Sequence, residues 1–146
     1  MKLSTKGRYG VTAMYDLAMH YGKGPVPLKL TAERQNISEH YLEQLMGGLR
    51  RAGFVRSSRG AQGGYELTKD PASITVGDII RALEGPIAPV DCVIDDEPSD
   101  YCGKSASCVT RSIWAKVRDS ISNVVDSITL ADMCKEEADR YLKEDV

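Results

Sequence analysis

Three cysteines lie within one short polar stretch, and their thiols are the groups in this chain best suited to chemistry. Cys92, Cys102 and Cys108 have the spacing C-x9-C-x5-C inside the sequence DCVIDDEPSDYCGKSASCVTRS at 91–112. This stretch has no helical or strand periodicity, so it is predicted to be a loop. Three thiolates on one loop suit an iron-sulfur cluster or a zinc ion. The absence of the close cysteine pair that structural zinc sites usually have favours the cluster.

The same cysteines have other possible roles. They are alternatively reactive thiols that form a reversible disulfide, or thiols without a chemical role. Catalysis by a cysteine nucleophile needs a neighbouring base. The two histidines, His20 and His40, lie in the other half of the chain, so an enzyme is not expected. Cys134 falls on the apolar face of a predicted helix, where a free cysteine behaves as a small hydrophobic residue.

The chain is expected to be cytoplasmic and not to bind membranes. The residues after Met1 lack the apolar segment of a signal peptide, and no apolar run reaches the roughly 18 residues that span a bilayer. Cytoplasmic thiols stay reduced, which favours metal, cluster or redox roles over a disulfide framework. A chain of 146 residues suits one domain, or a small domain with an appended element.

Charge is distributed unevenly along the chain. Residues 1–69 contain eleven Lys and Arg against five Asp and Glu, whereas residues 70–146 contain eight against sixteen. The near-neutral total therefore conceals a basic half and an acidic half. A basic half of this kind indicates contact with a polyanion, such as nucleic acid.

Three helices are predicted in the basic half, at about Thr5–Tyr21, 28–35 and His40–Ala52. Ser4 and Ser38 are suitable N-caps for the first and the third. The last two helices are separated by a tight turn and have the helix-turn-helix pattern, in which the second helix reads DNA.

Apolar residues at helical spacing predict the buried faces of these helices. In the third helix the predicted stripe is Leu42, Leu45, Met46 and Leu49. The expected apolar residues are Met14, Leu17, Ala18 and Tyr21 in the first helix and Leu30 and Ala32 in the second. The opposite face of the third helix is polar and consists of Glu39, His40, Glu43, Gln44, Gly47, Arg50 and Arg51.

Two strand-like runs around a glycine-rich turn follow at 54–67, which predicts a β-hairpin wing. Arg59 lies at the tip of this wing. Gly60, Gly63 and Gly64 permit positive φ and close approach of the backbone to another surface. A fourth helix, starting after Ser73 or Thr75, closes the core with Val76, Ile79, Ile80 and Leu83.

A long amphipathic helix is predicted after the cysteine loop. Its apolar stripe is Ile113, Val117, Ile121, Val124 and Ile128. A second copy of the chain is expected to cover this stripe, because helix-turn-helix proteins usually read two half-sites as dimers. The alternative is that the stripe packs on its own domain. A last short helix, Leu130–Tyr141, has an apolar face of Leu130, Cys134, Ala138 and Tyr141.

The predicted fold class is therefore mainly α with a small β-hairpin wing. A winged helix-turn-helix DNA-binding domain occupies 1–85, the cysteine loop 86–112, and the dimerisation and C-terminal helices 113–146.

Four segments resemble the IscR-type family of winged-helix transcription regulators. They are KGRYGVTAM, AERQNISEHYLEQLMGGLRRAGFVRSSRGAQGGYEL, VGDIIRALEGP, and the Cys92 loop followed by Trp114. The resemblance extends from Met1 to about Met133. It implies a homodimer on a pseudo-palindromic double-stranded DNA operator, often with an iron-sulfur cluster, here expected to be of the 2Fe-2S type.

The resemblance also assigns roles to individual residues. It places the start of the third helix in the major groove, with base contacts expected from Ser38, His40, Tyr41, Glu43 and Gln44. Gln44 suits a bidentate contact with adenine and Glu43 suits cytosine N4, although any of the polar residues alternatively faces solvent. Arg59 resembles the family's minor-groove reader, and the wing residues that accompany it are Gly60, Gln62 and Gly63. The expected phosphate contacts are Lys6, Arg8, Arg50, Arg51 and Arg56.

The cluster ligands depart from the family pattern. The best-known cluster-binding members have a shorter first cysteine interval and a histidine three residues after the third cysteine. Here that position is Arg111, which cannot be a ligand because its guanidinium stays protonated. The candidates for a fourth ligand are an exogenous thiol or one of Asp91, Asp95, Asp100, Glu84, His20 and His40.

The expected function is that of a repressor that senses iron-sulfur cluster status through Cys92, Cys102 and Cys108 and controls cluster biogenesis genes. Two alternatives stay open. One is a CymR-like repressor of cysteine metabolism that acts with a partner enzyme, suggested by the run EGPIAPVD before Cys92. The other is an NsrR-like nitric-oxide or redox sensor.

Overall fold

Residues 2–95 and 108–144 are described by the computed structural model of the chain. In them the helices are α1 Thr5–Met19, α2 Leu28–Gln35, α3 Glu39–Arg51, α4 Val76–Glu84, α5 Arg111–Asp126 and α6 Leu130–Glu144. Strands β1, Val55–Ser58, and β2, Gly64–Leu67, form a two-stranded antiparallel sheet. Short 3-10 turns lie at Pro71–Ser73 and Asp91–Val93. The predicted class, mainly α with a β-hairpin wing, is confirmed.

Side chains of Ser and Thr cap the starts of four of these helices, α1, α3, α4 and α6. Ser4 Oγ accepts from the Gly7 amide at 3.4 Å, and Ser38 Oγ accepts from the Tyr41 amide at 3.1 Å. Thr75, rather than Ser73, caps α4. Its hydroxyl and the Asp78 carboxylate each accept the other residue's amide hydrogen at 3.0 Å, which makes a capping box. The predicted N-caps, Ser4 for α1 and Ser38 for α3, are confirmed.

A buried carboxylate joins α1 to α2. Asp16 is 3% exposed and accepts hydrogen bonds from Thr31 at 2.9 Å, from Arg34 at 2.8 and 2.9 Å, and from Gln35 at 3.1 Å. Burial opposes ionisation of Asp16, but the hydrogen bonds from Arg34, Gln35 and Thr31 outweigh it and hold the pKa of this carboxyl below its usual value.

Thr31 is fully buried and Leu30 is exposed, so the expectation that Leu30 packs inward is wrong.

The core lies between α1, α3 and α4. The predicted stripe of α3, Leu42, Leu45, Met46 and Leu49, is fully buried. Met14, Leu17 and Ala18 of α1 join it, as predicted, but Tyr21 is exposed. The reason is that α1 ends at Met19 and Gly22, with φ of +83°, turns the chain away.

Helix α6 returns to this core. Leu130 is fully buried, and its amide donates to the Ile74 carbonyl at 3.0 Å. Met133 and Cys134 pack against the same core. The predicted apolar face of the last helix is wrong at Ala138 and Tyr141, which are exposed. The helix extends past Tyr141 to Glu144, and its buried residue is Leu130. The predicted domain boundaries stay predictions.

Helix α5 is attached to α4 by one bidentate ion pair. Arg81 donates to the Asp126 carboxylate at 2.7 and 2.8 Å, and these hydrogen bonds hold the pKa of Asp126 below its usual value. Gly77 makes room for the pair, because a Cβ there would overlap the Asp126 carboxylate.

Within the described residues, the apolar stripe of α5 is only partly covered: Val117 and Ile121 are half-buried, and the rest of the stripe is exposed. No residue of α5 is buried, and Ile113 and Val124 are 50% and 58% exposed. Trp114, beside the stripe, is 39% exposed. Of the helices in the described ranges, none has the length and apolar character needed to cross a membrane.

Candidate nucleic-acid interface and cysteine loop

The polar face of α3 is open to solvent at its start. Ser38, His40, Glu43 and Gln44 are exposed, whereas the opposite face of the helix is buried. His40 and Gln44 are one helical turn apart, and their Nε2 atoms lie 3.3 Å from each other in a hydrogen bond. Four of the five residues predicted to read bases therefore share one accessible surface, and two of these four interact. The fifth, Tyr41, is half-buried and packs against the core.

The start of α1 lies beside the start of α3. The rings of Tyr9 and Tyr41 meet edge to face, with centroids 5.9 Å apart and planes at 82°. The Arg8 guanidinium lies 5.7 Å from the centroid of the Tyr9 ring, within cation–π range. Lys6 is exposed one turn away. The aromatic pair thus brings positive charge from α1 next to the helix predicted to enter the major groove.

The wing has the turn that its glycines predict. Gly60 has φ of +102°, and its carbonyl accepts from the Gly63 amide at 3.0 Å. A Cβ at Gly63 would overlap the carbonyl oxygen of Ser58, so a side chain there is excluded. Arg59 and Gln62 are exposed in this turn. The wing tip therefore presents a guanidinium and backbone that a second surface can approach closely.

The other three arginines that are predicted to contact phosphate lie in different surroundings. Arg50 and Arg51 are exposed at the end of α3. Arg56 is paired across the wing with Glu66, Nε to Oε1 at 2.9 Å. A phosphate contact by Arg56 would have to share its guanidinium with this carboxylate, which the sequence did not indicate.

The cysteine loop is described at its two ends. Cys92 lies in the turn Asp91–Val93 and is partly exposed, and Val93 beside it is fully buried. Cys108 precedes α5, is partly exposed, and has its Sγ 3.1 Å from the Thr110 hydroxyl. Cys102 lies outside the described residues, as does Asp100.

Two arginines of α5 bind the turn that contains Cys92. Arg111 donates from Nε to the Cys92 carbonyl and from a terminal nitrogen to the Asp95 carbonyl, both at 3.2 Å. Arg118, two turns further along α5, donates to the Val93 carbonyl at 2.8 Å. Arg111 occupies the position at which cluster-binding members of the family have a histidine. Here its guanidinium binds the backbone around Cys92, which the sequence did not reveal.

An iron-sulfur cluster needs several ligand side chains that converge on one point. Within 2–95 and 108–144, no three Cys, His, Asp or Glu side chains converge as metal ligands. Among the candidates for a fourth ligand, Glu84 accepts from the Gly7 amide at 3.2 Å, and His20 Nδ1 lies 2.8 Å from the Asp16 carbonyl. His40 interacts with Gln44. Asp91 and Asp95 remain as exposed candidates on the loop itself.

Cys134 lies on α6 and is half-buried. Its side chain packs on the core beside Met133, and burial raises the pKa of its thiol. A raised pKa disfavours the thiolate, which is the reactive and metal-binding form. This environment supports the interpretation of Cys134 as a packing residue.

A helix-turn-helix followed by a β-hairpin, with exposed basic side chains on α1, α3 and the wing, defines a winged-helix DNA-binding protein. The chain belongs to the Rrf2 family, described as iron-dependent transcriptional regulator, whose profile matches residues 3–136. It is therefore a DNA-binding transcriptional regulator and not an enzyme, as predicted.

Proteins named CymR and proteins named IscR both occur among the relatives of this chain. The HTH-type transcriptional regulator CymR of Bacillus subtilis is 52% identical over 133 residues, which are 91% of this chain and 89% of that protein. The structure of CymR, the global cysteine regulator of B. subtilis, aligns with a TM-score of 0.77 over 93% of this chain and 98% of that one. The structure of T. potens IscR aligns with a TM-score of 0.75 and 54% identity over 94% of this chain and 88% of that one.

Proposed function

We propose that the protein is a homodimeric repressor that binds a pseudo-palindromic operator in the cytoplasm and controls iron-sulfur cluster biogenesis genes. A 2Fe-2S cluster on Cys92, Cys102 and Cys108 reports cluster status to it. The observation that carries this proposal is the attachment of the Cys92 turn to α5 through Arg111 and Arg118. A change at the cysteines would reach α5 directly through these hydrogen bonds.

The DNA side of the proposal rests on exposure and charge. The side chains assigned to bases are Ser38, His40, Tyr41, Glu43 and Gln44, with Arg59, Gly60, Gln62 and Gly63 at the minor groove. The side chains assigned to phosphates are Lys6, Arg8, Arg50, Arg51 and Arg56. Phosphate contacts supply affinity that falls with salt, whereas base contacts supply the sequence preference.

The dimer rests on the partly uncovered stripe of α5. An exposed row of Ile113, Val124 and their neighbours at helical spacing is costly in water, at roughly 25 cal/mol for each Å² of apolar surface. A second copy offers an equivalent stripe. Two copies would present two reading helices to half-sites about one helical turn of DNA apart.

The cluster rests on the donor chemistry. Three thiolates from one loop suit iron, and a fourth ligand would come from Asp91, Asp95 or an exogenous thiol. The partial exposure of Cys92 and Cys108 favours a cluster that reacts readily with oxidants. The description of the family as iron-dependent and the 54% identity to T. potens IscR support the same proposal.

The test is anaerobic purification followed by absorption spectroscopy and by iron and sulfide assays. Cys92→Ala, Cys102→Ala and Cys108→Ala are each expected to lose the visible absorption and most of the iron. Cys134→Ala is the matched control and is expected to retain both, because Cys134 packs against the hydrophobic core and is not one of the proposed ligands. Wild-type protein that stays colourless after reconstitution with iron and sulfide would rule out the cluster.

A second candidate is a repressor of cysteine metabolism that acts with a partner enzyme. The 52% identity to CymR of B. subtilis favours it, and so does the use of Arg111 in hydrogen bonds where cluster-binding members have a ligand. In that case the protein is expected to bind its operator without iron. Its DNA affinity would then change on addition of the partner enzyme and not on loading or removal of iron.

A further inference from the structure

We propose that His40 is a positioning residue that orients the Gln44 amide, so that Gln44 recognises adenine in the operator. The inference rests on the proposed contact of α3 with bases and adds a role that the sequence did not give to His40. It follows from the hydrogen bond between His40 Nε2 and Gln44 Nε2 at 3.3 Å. Both side chains are exposed on the same face of α3.

The atoms in this hydrogen bond fix the chemistry. In this hydrogen bond Gln44 Nε2 donates, because an amide nitrogen does not accept, and His40 Nε2 accepts, which corresponds to the tautomer with its hydrogen on Nδ1. One of the two amide hydrogens of Gln44 is used in this bond. The second hydrogen and the whole of Oε1 remain available to another partner. These are the groups that a glutamine needs for a base contact.

Adenine requires one orientation of that amide. In the bidentate pair, the glutamine oxygen accepts from adenine N6 and its nitrogen donates to adenine N7. An amide turned by 180° would set its oxygen against N7 and its NH2 group against the N6 amino group, so both contacts would be repulsive. A histidine that can only accept at Nε2 disfavours the turned amide before DNA arrives.

The spacing of His40 and Gln44 on α3 favours the hydrogen bond between their side chains. Residues four apart on an α-helix are neighbours on its surface, and polar pairs at this spacing form side-chain hydrogen bonds. An exposed glutamine otherwise loses rotamer entropy when it binds, and ordering it beforehand reduces that cost. His40 therefore contributes to base preference through Gln44, and this role replaces the direct base contact that was assigned to His40 above.

A double-mutant cycle tests this route. Operator sites are first selected from random duplexes with the wild-type protein and with Gln44→Ala, which identifies the adenine that Gln44 reads. The affinities of wild type, His40→Ala, Gln44→Ala and the double variant are then measured for sites with and without that adenine. His40→Ala is expected to lower the adenine preference about fivefold, a part of the discrimination that one bidentate contact supplies. In the Gln44→Ala background, His40→Ala is expected to lower the adenine preference no further.

Two more variants separate positioning from a general effect on α3. His40→Gln retains an acceptor within reach of position 44 and is expected to restore part of the adenine preference. Glu39→Gln, on the same turn of the helix, is expected to leave the preference unchanged. Circular dichroism and thermal unfolding establish that each variant folds.

Several results would overturn the inference. An additive loss in the double variant would mean that His40 contacts the DNA itself. An equal loss of affinity for all sequences would mean a phosphate or structural role. An unchanged adenine preference in His40→Ala would mean no role in readout. A wild-type protein that selects no sequence at all would instead refute the proposed function, and this inference with it.

Discussion

The guanidinium of Arg111 donates a hydrogen bond to the carbonyl oxygen of Cys92 at 3.2 Å. The first turn of α5 is thereby attached to the turn that carries the first cysteine. Arg118 adds a shorter bond, at 2.8 Å, to the carbonyl of the neighbouring Val93. The cysteine loop and α5 are thus connected by side-chain-to-backbone hydrogen bonds that do not require a cluster.

Removal of the Arg111 side chain is expected to loosen the Cys92 turn. Arg111→Ala should increase the alkylation rate of Cys92 severalfold in the reduced, iron-free protein, because the turn opens more often when its carbonyls lose these partners. The rate is measured by mass spectrometry of the peptide that contains Cys92. Arg140→Ala, which removes an exposed guanidinium from α6, is the control. Equal rates in Arg111→Ala and wild type would contradict the expectation.

Arg59 is expected to supply part of the sequence preference. Arg59→Ala should weaken operator binding about tenfold, within the range for a single base-reading arginine. The loss should be larger on sites with A·T-rich flanks, where the minor groove is narrow and its potential most negative. Fluorescence anisotropy titrations at fixed salt measure both effects, with Lys69→Ala as a control for charge outside the proposed interface. Equal binding by Arg59→Ala and wild type would be evidence against minor-groove contact.

Asp16 is expected to stabilise the fold in a pH-dependent way. Asp16→Asn should lower the free energy of unfolding by about 2 kcal/mol near neutral pH, because charge-assisted hydrogen bonds in a buried site are lost. The pKa of Asp16 in the folded protein lies below its usual value. Its contribution is therefore present above the unfolded pKa and is lost as the pH falls through the folded pKa. Urea unfolding of the wild type and of Asp16→Asn, at about pH 7 and at about pH 3, measures the difference in the free energy of unfolding and its dependence on pH.

The wild type and Asp16→Asn should accordingly converge in stability as the solution becomes acidic. Glu33→Gln, which changes an exposed carboxylate on α2, serves as the matched control and should alter the stability little. A gap between wild type and Asp16→Asn that stays constant across this pH range would contradict the role of the ionised carboxylate.

Charge on the exposed stripe of α5 is expected to separate the two copies of the proposed dimer. Val124→Glu should shift the protein from dimer to monomer, because a carboxylate would be buried without a partner. Light scattering after size-exclusion chromatography measures the mass. Val109→Glu, at a valine that is 85% exposed before α5, should leave the dimer intact. A dimeric Val124→Glu would show that this stripe is not the interface.

Local signals predicted most of the framework. The stripe of Leu42, Leu45, Met46 and Leu49 is set by spacing within one helix, and the caps Ser4 and Ser38 depend on neighbouring amides only. Tyr21 was predicted inside because apolar periodicity continues past the end of α1. Periodicity alone does not register the glycine turn that ends a helix.

Contacts between distant residues were outside the reach of periodicity. Asp16 receives its hydrogen bonds from residues 15 to 19 positions away, and nothing near Asp16 in the sequence indicates a buried acid. Leu30 was predicted to face inward, but the buried residue of α2 is the neighbouring Thr31, whose hydroxyl donates a hydrogen bond to Asp16. Arg111 was interpreted only as a missing ligand, because its carbonyl partners lie 16 and 19 residues earlier.

The room that Gly77 leaves for the Asp126 carboxylate links two positions that are far apart in the sequence. Any side chain at 77 would occupy the space of the acid that holds Arg81. A side chain at position 77 would therefore require the Asp126 carboxylate to move and would disturb its ion pair with Arg81. Among related chains, positions 77 and 126 are expected to vary as a pair, so that the joint between α4 and α5 is inherited as a unit.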